Sequence, residues 1–326
     1  MAIRASAPLS GFDEPANPAR TRTMVAACVV LATAALVIVL PENYAIFTVA
    51  AAMAGLSAWL LGGLIARHRG LRSPAEAARR VGLPALGMVQ QLTPRVMREI
   101  SPDQRTPYGY VLEKPESAFA SVFRHLLAFS PKAKNRRETV AITSPYSQEG
   151  ASTVSLCLAR TMAALGRSVV IVDCDMRRRT LTRSLGIDAK EGIWEAIGAE
   201  NPGKFLRGDT DSHVKVLPAG SAAGPFRDLF SKRGFFDLVR QLKRRYECVI
   251  LDCPAALASI DARMIVGGAD SVVLVVQHGR TPASAVKNAQ RQLNIGGHAR
   301  PAGILINKAP KSRDFMQIEA VLAEDF

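Results

Sequence analysis

Apolar runs of two kinds divide this chain. Met24 to Leu40 and Ala45 to Ala66 carry no charged side chain, and only Pro41-Glu42-Asn43-Tyr44 separates them. At about 1.5 Å per residue the second run crosses a hydrocarbon core of ~30 Å outright, and the first nearly does. The pattern predicts a transmembrane helical hairpin over residues 24–66. A signal peptide does not fit, because a second apolar run follows at once and no small-residue cleavage site ends the first. From Glu116 onward the pattern changes. Short β-branched runs at Thr139–Ser144, Ser168–Asp173, Val249–Asp252, Ser271–Gln277 and Ala302–Asn307 alternate with helical stretches at Val154–Leu165, Phe235–Tyr246 and Pro282–Leu293. Continuous apolar strands between amphipathic helices predict an α/β fold, a mostly parallel sheet covered by helices on both faces. Such sheets bind ligands at the carboxyl ends of their strands.

Charge places the ends of the hairpin. Arg20 and Arg22 precede it, Arg67, His68, Arg69 and Arg72 follow it, and the connecting turn holds Glu42 and no base. The excess of bases predicts both termini on the cytoplasmic side of the membrane. Residues 1–23, rich in Pro, Ala and Ser, read as a flexible cytoplasmic arm. Residues 67–115 read as a juxtamembrane segment and linker. Within it Ser73–Arg80 resembles a short amphipathic helix with a Ser-Pro start, Val81–Val89 is apolar, and Arg95–Pro115, interrupted by Pro102, Pro107 and Pro115, reads as extended. Residues 116–326 are expected to form a single α/β domain.

Composition narrows the classes. The 326 residues are 48% hydrophobic and 21% charged, which excludes wholesale disorder. Five scattered cysteines without CxxC pairs exclude a disulfide framework or a structural zinc site. A net charge of +14 favours an anionic partner: lipid headgroups, nucleotide phosphates or nucleic acid.

The chemistry gathers at three strand ends. Thr139–Ser144 runs into Pro145-Tyr-Ser-Gln-Glu-Gly150-Ala151-Ser152-Thr153, and a helix begins at once. A strand, a glycine loop and hydroxyl residues at a helix start are the layout of a phosphate-binding loop, in which backbone N–H groups cradle an anion. In the G-K-[ST] form the lysine reaches the phosphates and the hydroxyl holds magnesium; Ala151 stands at the lysine position. Asp173 and Asp175 end the next strand, followed by Arg177 and Arg178, and Asp252 ends another. Acids beside a phosphate loop suit a magnesium ion and an attacking water, which makes Asp173, Asp175 and Asp252 the catalytic candidates and Ser152, Asp175 and Asp252 the magnesium ligands.

These motifs resemble the cytoplasmic domain of the bacterial tyrosine autokinases, relatives of the deviant-Walker ATPases that are fused or paired to polysaccharide co-polymerases. The family patterns P-G-E-G-K-S-T, D-x-D-x-R-R and I-D-x-P-P match Ser147-Gln-Glu-Gly150-Ala151-Ser152-Thr153, Asp173-Cys-Asp175-Met-Arg177-Arg178 and Leu251-Asp252-Cys-Pro254-Ala255. The resemblance implies ATP or ADP with magnesium, bound by Gly150, Ala151, Ser152, Thr153, Arg177 and Asn307. It also implies an export-complex membrane partner and the option of a homo-oligomer. The departures point away from kinase activity. Ala151 removes the loop cation, Gln148 replaces a flexible glycine, and no tyrosine follows Tyr246, so binding is expected to be weak and autophosphorylation impaired. The expected role is a regulator or adaptor in exopolysaccharide or capsule export. Two alternatives stay open: a working autokinase or ATPase that borrows a cation from Arg177 or a neighbouring chain, and a ParA-like positioning ATPase on DNA, which the membrane hairpin disfavours.

Overall fold

The computed structural model describes residues 51, 53–57, 59, 70–128, 137–220, 229–230, 233–294 and 301–311. The chain divides into two compact units, Met1–His68 and Arg69–Phe326. Most of the hairpin expected over residues 24–66, the arm before it and the carboxyl end of the chain lie outside the described residues. Within the first unit the described positions are helical, with Met53, Leu56 and Trp59 exposed. No helix among the described residues is long and apolar enough to cross a membrane.

The second unit is built on an eight-stranded sheet in the order β1-β8-β7-β2-β6-β3-β5-β4. Its strands are β1 (Ala85–Gln90), β2 (Glu138–Thr143), β3 (Val169–Asp173), β4 (Arg207–Gly208), β5 (Lys215–Leu217), β6 (Cys248–Asp252), β7 (Ser271–Gln277) and β8 (Pro301–Ala309). All neighbours pair in parallel except β4 with β5. The helices are α1 (Pro74–Val81), α2 (Pro94–Met97), α3 (Pro107–Glu113), α4 (Ala118–Ala128), α5 (Ala151–Ala164), α6 (Thr180–Ser184), α7 (Ile193–Ala196), α8 (Arg233–Arg245), α9 (Asp261–Val266) and α10 (Ala283–Leu293).

Two hydrophobic cores explain the unbroken apolar strands. Side chains of a strand alternate between faces, so Val170 and Val172 enter one core with Val249 and Leu251, while Val169 and Ile171 enter the other with Cys248 and Ile250. Helices α1, α8, α9 and α10 close the first core through residues such as Val81, Phe235, Ile265 and Val286. The second is closed by α3, α4 and α5 through Tyr110, Phe123 and Leu158. A central strand with water on neither side is mostly apolar and keeps its polar residues to its ends, which is the α/β pattern read from the sequence.

The sheet domain starts earlier than the sequence suggested. Ser73 caps α1 by accepting from Glu76 N at 3.2 Å, as its Ser-Pro start predicts. The apolar segment after it is not one element: Gly82 ends α1 in left-handed geometry, and Ala85–Gln90 adds a strand alongside β8. Arg95–Pro115 is not an extended linker either. Its prolines start helices instead of breaking them, because a first-turn residue needs no N–H partner and the proline φ is already helical. Pro107 opens α3 behind the cap Thr106, whose Oγ1 accepts from Gly109 N at 3.0 Å. Helix α3 is fixed by its buried face: Tyr110 meets Phe119 edge to face at 5.8 Å.

A second tie lies nearer the start of the unit. Gly70 bridges Pro282 in antiparallel fashion, Leu71 N donates to Thr281 O at 3.0 Å, and Gly279 N donates to Leu71 O at 2.7 Å. A Cβ at residue 70 would lie 2.1 Å from the Gly279 carbonyl carbon, so only glycine allows this approach.

Helix α5, which carries the start of the phosphate loop's helix, is anchored at mid-length. The Arg160 guanidinium is 1% exposed and forks onto Asp209 at 2.8 and 2.7 Å, with a further bond to Asp211 at 2.9 Å. Its carbon Cζ also sits 5.2 Å from the Tyr108 ring centroid. A paired and stacked guanidinium at this depth holds α5 in register with the β4–β5 edge.

Candidate nucleotide site

The carboxyl ends of β2, β3, β6, β7 and β8 face one way and carry all the candidate chemistry. After β2 the chain turns through Ser144–Gly150 and enters α5 at Ala151. The turn is laced to the segment after β6 by Ala256 N to Ser144 O at 2.8 Å and Thr143 Oγ1 to Pro254 O at 2.7 Å. Gly150 has φ 100 and no side chain with which to cap the helix. The first-turn amides of α5 are thus free to face an anion. A Cβ at residue 150 would lie 2.2 Å from Asn307 Nδ2, which explains the glycine by close approach as well as by conformation.

Gln148 stands where the sequence suggested a damaged loop. Its φ is 66, a left-handed backbone that glycine adopts freely and glutamine does not. Glutamine holds this turn at a conformational cost of about 1–2 kcal/mol. Ala151 is buried and brings no charge.

The acids divide by their partners. Asp173 is fully buried; its Oδ1 accepts from Asp175 N at 3.2 Å, and its Oδ2 accepts from Thr182 N at 2.9 Å and Thr182 Oγ1 at 2.6 Å. Burial raises its carboxyl to about 6 against the pull of Thr182, and the Asp175 charge adds to the rise. With both oxygens engaged, Asp173 orders the turn after β3. Asp175 Oδ1 accepts from Arg178 N at 3.0 Å and caps that same turn. Arg177 is exposed beyond it, and Thr153 sits half-buried on the first turn of α5.

Asp252 differs. It pairs with Asp173 in the β3–β6 register and is fully buried. Ser155 Oγ donates to Oδ1 at 3.0 Å, the Ser152 hydroxyl lies close enough to favour the charged form, and Oδ2 has no hydrogen-bond partner. Burial first, and Asp173 next, push its carboxyl well above the usual range. A buried orphan acceptor beside a second carboxylate and a hydroxyl fits a divalent cation, which would relieve both the desolvation and the repulsion. No group of three or more His, Cys, Asp or Glu that could hold a metal occurs among the described residues. Asp252 and the Ser152 hydroxyl are oxygen donors of the kind used by magnesium, which takes one or two protein ligands and completes its shell with phosphate oxygens and water.

Four site residues escaped the sequence reading: Glu149, Ser155, Thr281 and Lys308. Glu149 is buried inside the loop; its Oε2 accepts from Tyr146 N at 2.9 Å and its Oε1 accepts from Thr281 Oγ1. Burial lifts this carboxyl to about 7, against the pull of Thr281 and Tyr146. Asn307 Nδ2 donates to the Glu149 carbonyl at 2.8 Å, so it braces the loop backbone. Lys308 Nζ donates to the Gln148 carbonyl at 2.7 Å. Glu149 lies in the quoted motif and Ser155 two residues beyond it on α5, so both could have been found there; Thr281 and Lys308 are brought in by strand order.

Known proteins resemble this chain in sequence and in fold. A family profile described as "AAA domain" matches residues 138–294. The succinoglycan biosynthesis transport protein ExoP of Rhizobium meliloti is 26% identical over 204 residues, which is 61% of this chain and 26% of that protein. The tyrosine-protein kinase CpsD of Streptococcus agalactiae is 27% identical over 211 residues, covering 61% of this chain and 86% of the relative. The kinase domain of the Escherichia coli tyrosine kinase ETK superposes with a TM-score of 0.66 at 20% identity, over 74% of this chain and 96% of that one. The chain resembles the bacterial tyrosine autokinases in sequence and in fold. The first of these relatives is named for succinoglycan biosynthesis and transport and the second for tyrosine kinase activity, and the fold of this chain is that of the ETK kinase domain. The matched part spans about a quarter of the Rhizobium protein's length.

Proposed function

We propose that this chain is a membrane-anchored regulator or adaptor of exopolysaccharide or capsule export whose kinase-like domain holds magnesium and nucleotide weakly and is impaired in phosphoryl transfer. The carrying observation is Ala151, an apolar methyl at the position where the family loop brings lysine. Phosphoryl transfer depends on positioning and on neutralising charge at the phosphates, and here the loop lacks that charge. Magnesium, when bound, would draw off phosphate charge and would rest on Ser152 and Asp252, with Asp175 beside them. The α5 amides would receive the phosphates, Asp173 would keep the β3 turn rigid, and Asn307 would hold the loop backbone.

The two uncharged runs and the exposed apolar residues Met53, Leu56 and Trp59 support anchoring in the bacterial inner membrane with both ends cytoplasmic. A polysaccharide co-polymerase or another membrane protein of the export complex is the partner proposed, by likeness to relatives such as ExoP. Incubating the purified full chain with γ-labelled Mg-ATP tests the impairment. Label transfer and phosphate release should stay near background, and Ala151→Lys should raise them. In cells, deleting the gene should lower or mis-size the exported polysaccharide, and a copy with Asp252→Asn should restore most of it. Turnover equal to that of an intact relative, abolished by Asp252→Asn, would overturn the reading.

A further inference from the structure

The phosphate loop lacks a cation of its own, yet one reaches it from β8. The register between β1 and β8 runs Met88↔Ile306 and then Gln90↔Ala309, so β8 carries one extra residue at Asn307-Lys308. Lys308 has φ 58 within this bulge, an unfavourable backbone for lysine. Bulges re-aim side chains and recur beside functional sites. Both residues of this one turn onto the loop: Asn307 donates to the Glu149 carbonyl at 2.8 Å, and Lys308 Nζ donates to the Gln148 carbonyl at 2.7 Å.

The ammonium is therefore placed at the loop mouth. A Cβ at Gly150, the residue before Ala151, would lie 3.9 Å from Lys308 Cε. Arg280 and Glu149 are the charged groups that act on the Lys308 ammonium, one repelling and one attracting it. Lys308 is half-buried, and Gln148 takes only one of the donors an ammonium carries. A strained residue held against a phosphate cradle that is short of a cation is an arrangement with a chemical use.

We propose that Lys308 supplies from β8 the phosphate-binding cation that Ala151 lacks, so that the loop takes the magnesium complex of a nucleoside polyphosphate. This rests on the nucleotide-site reading above. Titrating Mg-ATP calorimetrically into the full chain in detergent tests it, with thermal melts confirming that each variant is folded. Lys308→Ala should weaken binding by about tenfold or more, the range expected for a charge-assisted contact. Lys308→Gln, which keeps a donor for the Gln148 carbonyl but not the charge, should be as weak. Ala151→Lys placed in the Lys308→Ala background should restore affinity, which a purely structural tie between Lys308 and Gln148 would not allow. If Lys308→Ala binds as the parent chain does, the inference falls and the nucleotide site stands. No Mg-ATP binding by the parent chain overturns both. Phosphate transfer that depends on Lys308 would uphold the inference and sink the impaired-transfer reading.

Discussion

Lys308 and Gln148, joined from Nζ to carbonyl oxygen at 2.7 Å, both have left-handed backbones, and neither is a glycine. The loop mouth thus holds two of the three such residues found among the described positions, with Arg179 as the third. Strain of this kind persists where surrounding contacts fix the chain. At Gln148 the strain is separable from charge. Glycine would recover about 1–2 kcal/mol of conformational cost and give back roughly 0.4–1 kcal/mol in unfolded-state entropy. Gln148→Gly should raise stability slightly, by well under 2 kcal/mol, read from the urea midpoint; a loss of more than 1 kcal/mol would show that the glutamine side chain makes a needed contact.

Asp252 should be a liability to the fold without ligand. Its carboxylate is buried against Asp173 with Oδ2 unpartnered. Asp252→Asn removes the repulsion and supplies donors, so in magnesium-free buffer the melting temperature should rise by several degrees. Magnesium with nucleotide should stabilise the parent chain more than the variant. A variant less stable in magnesium-free buffer would mean that the charge is already compensated.

Glu149 gives a pH signature. Its carboxyl is held near 7, above the reference of 4.5, so the folded chain keeps a proton that the unfolded chain releases. Stability from this group is full below about 4.5 and is lost as pH rises towards 7, at up to about 1.4 kcal/mol per pH unit. Asp173, raised to about 6, contributes with the same sign. Glu149→Gln should therefore flatten the fall in urea midpoint between pH 5 and 7.5 without abolishing it. An unchanged slope would place the bound proton elsewhere.

Arg160 should matter more than any exposed ion pair. Removing it leaves Asp209 buried and unpaired, and such losses cost about 3–5 kcal/mol. Arg160→Leu should destabilise by that order, and adding Asp209→Leu should recover part of it. Exposed pairs such as Arg80 with Glu76, at 2.6 Å, should cost less than about 1 kcal/mol on the same assay.

The sequence made the central strands legible because burial on both faces leaves a continuous apolar run, and Ser271–Gln277 is the strand found. The strand-end aspartates followed from those strands. Other parts were hidden for physical reasons. Strand β1 is interrupted by Gly87, whose φ of 152 and close approach to Val122 belong to packing that no local pattern records. The prolines of residues 95–115 carry the same signal at a helix start as in an extended chain, and only the burial of Tyr110 and Val111 decides between them. Lys308 reaches the loop because β8 lies two strands from β2 and bulges at its end, a relationship set by topology.

Gly70 shares its turn with the phosphate loop. The turn at Gly279–Pro282 receives Gly70 and Leu71 on one side, and on the other it offers the Thr281 hydroxyl to the Glu149 carboxyl. Any side chain at residue 70 must push the Gly279 backbone aside. That displacement passes through Thr281 to the loop without touching a residue that meets phosphate. A lesion at residue 70, far from the loop in sequence and just past the predicted membrane hairpin, would register in a binding experiment as a defect of the nucleotide pocket itself.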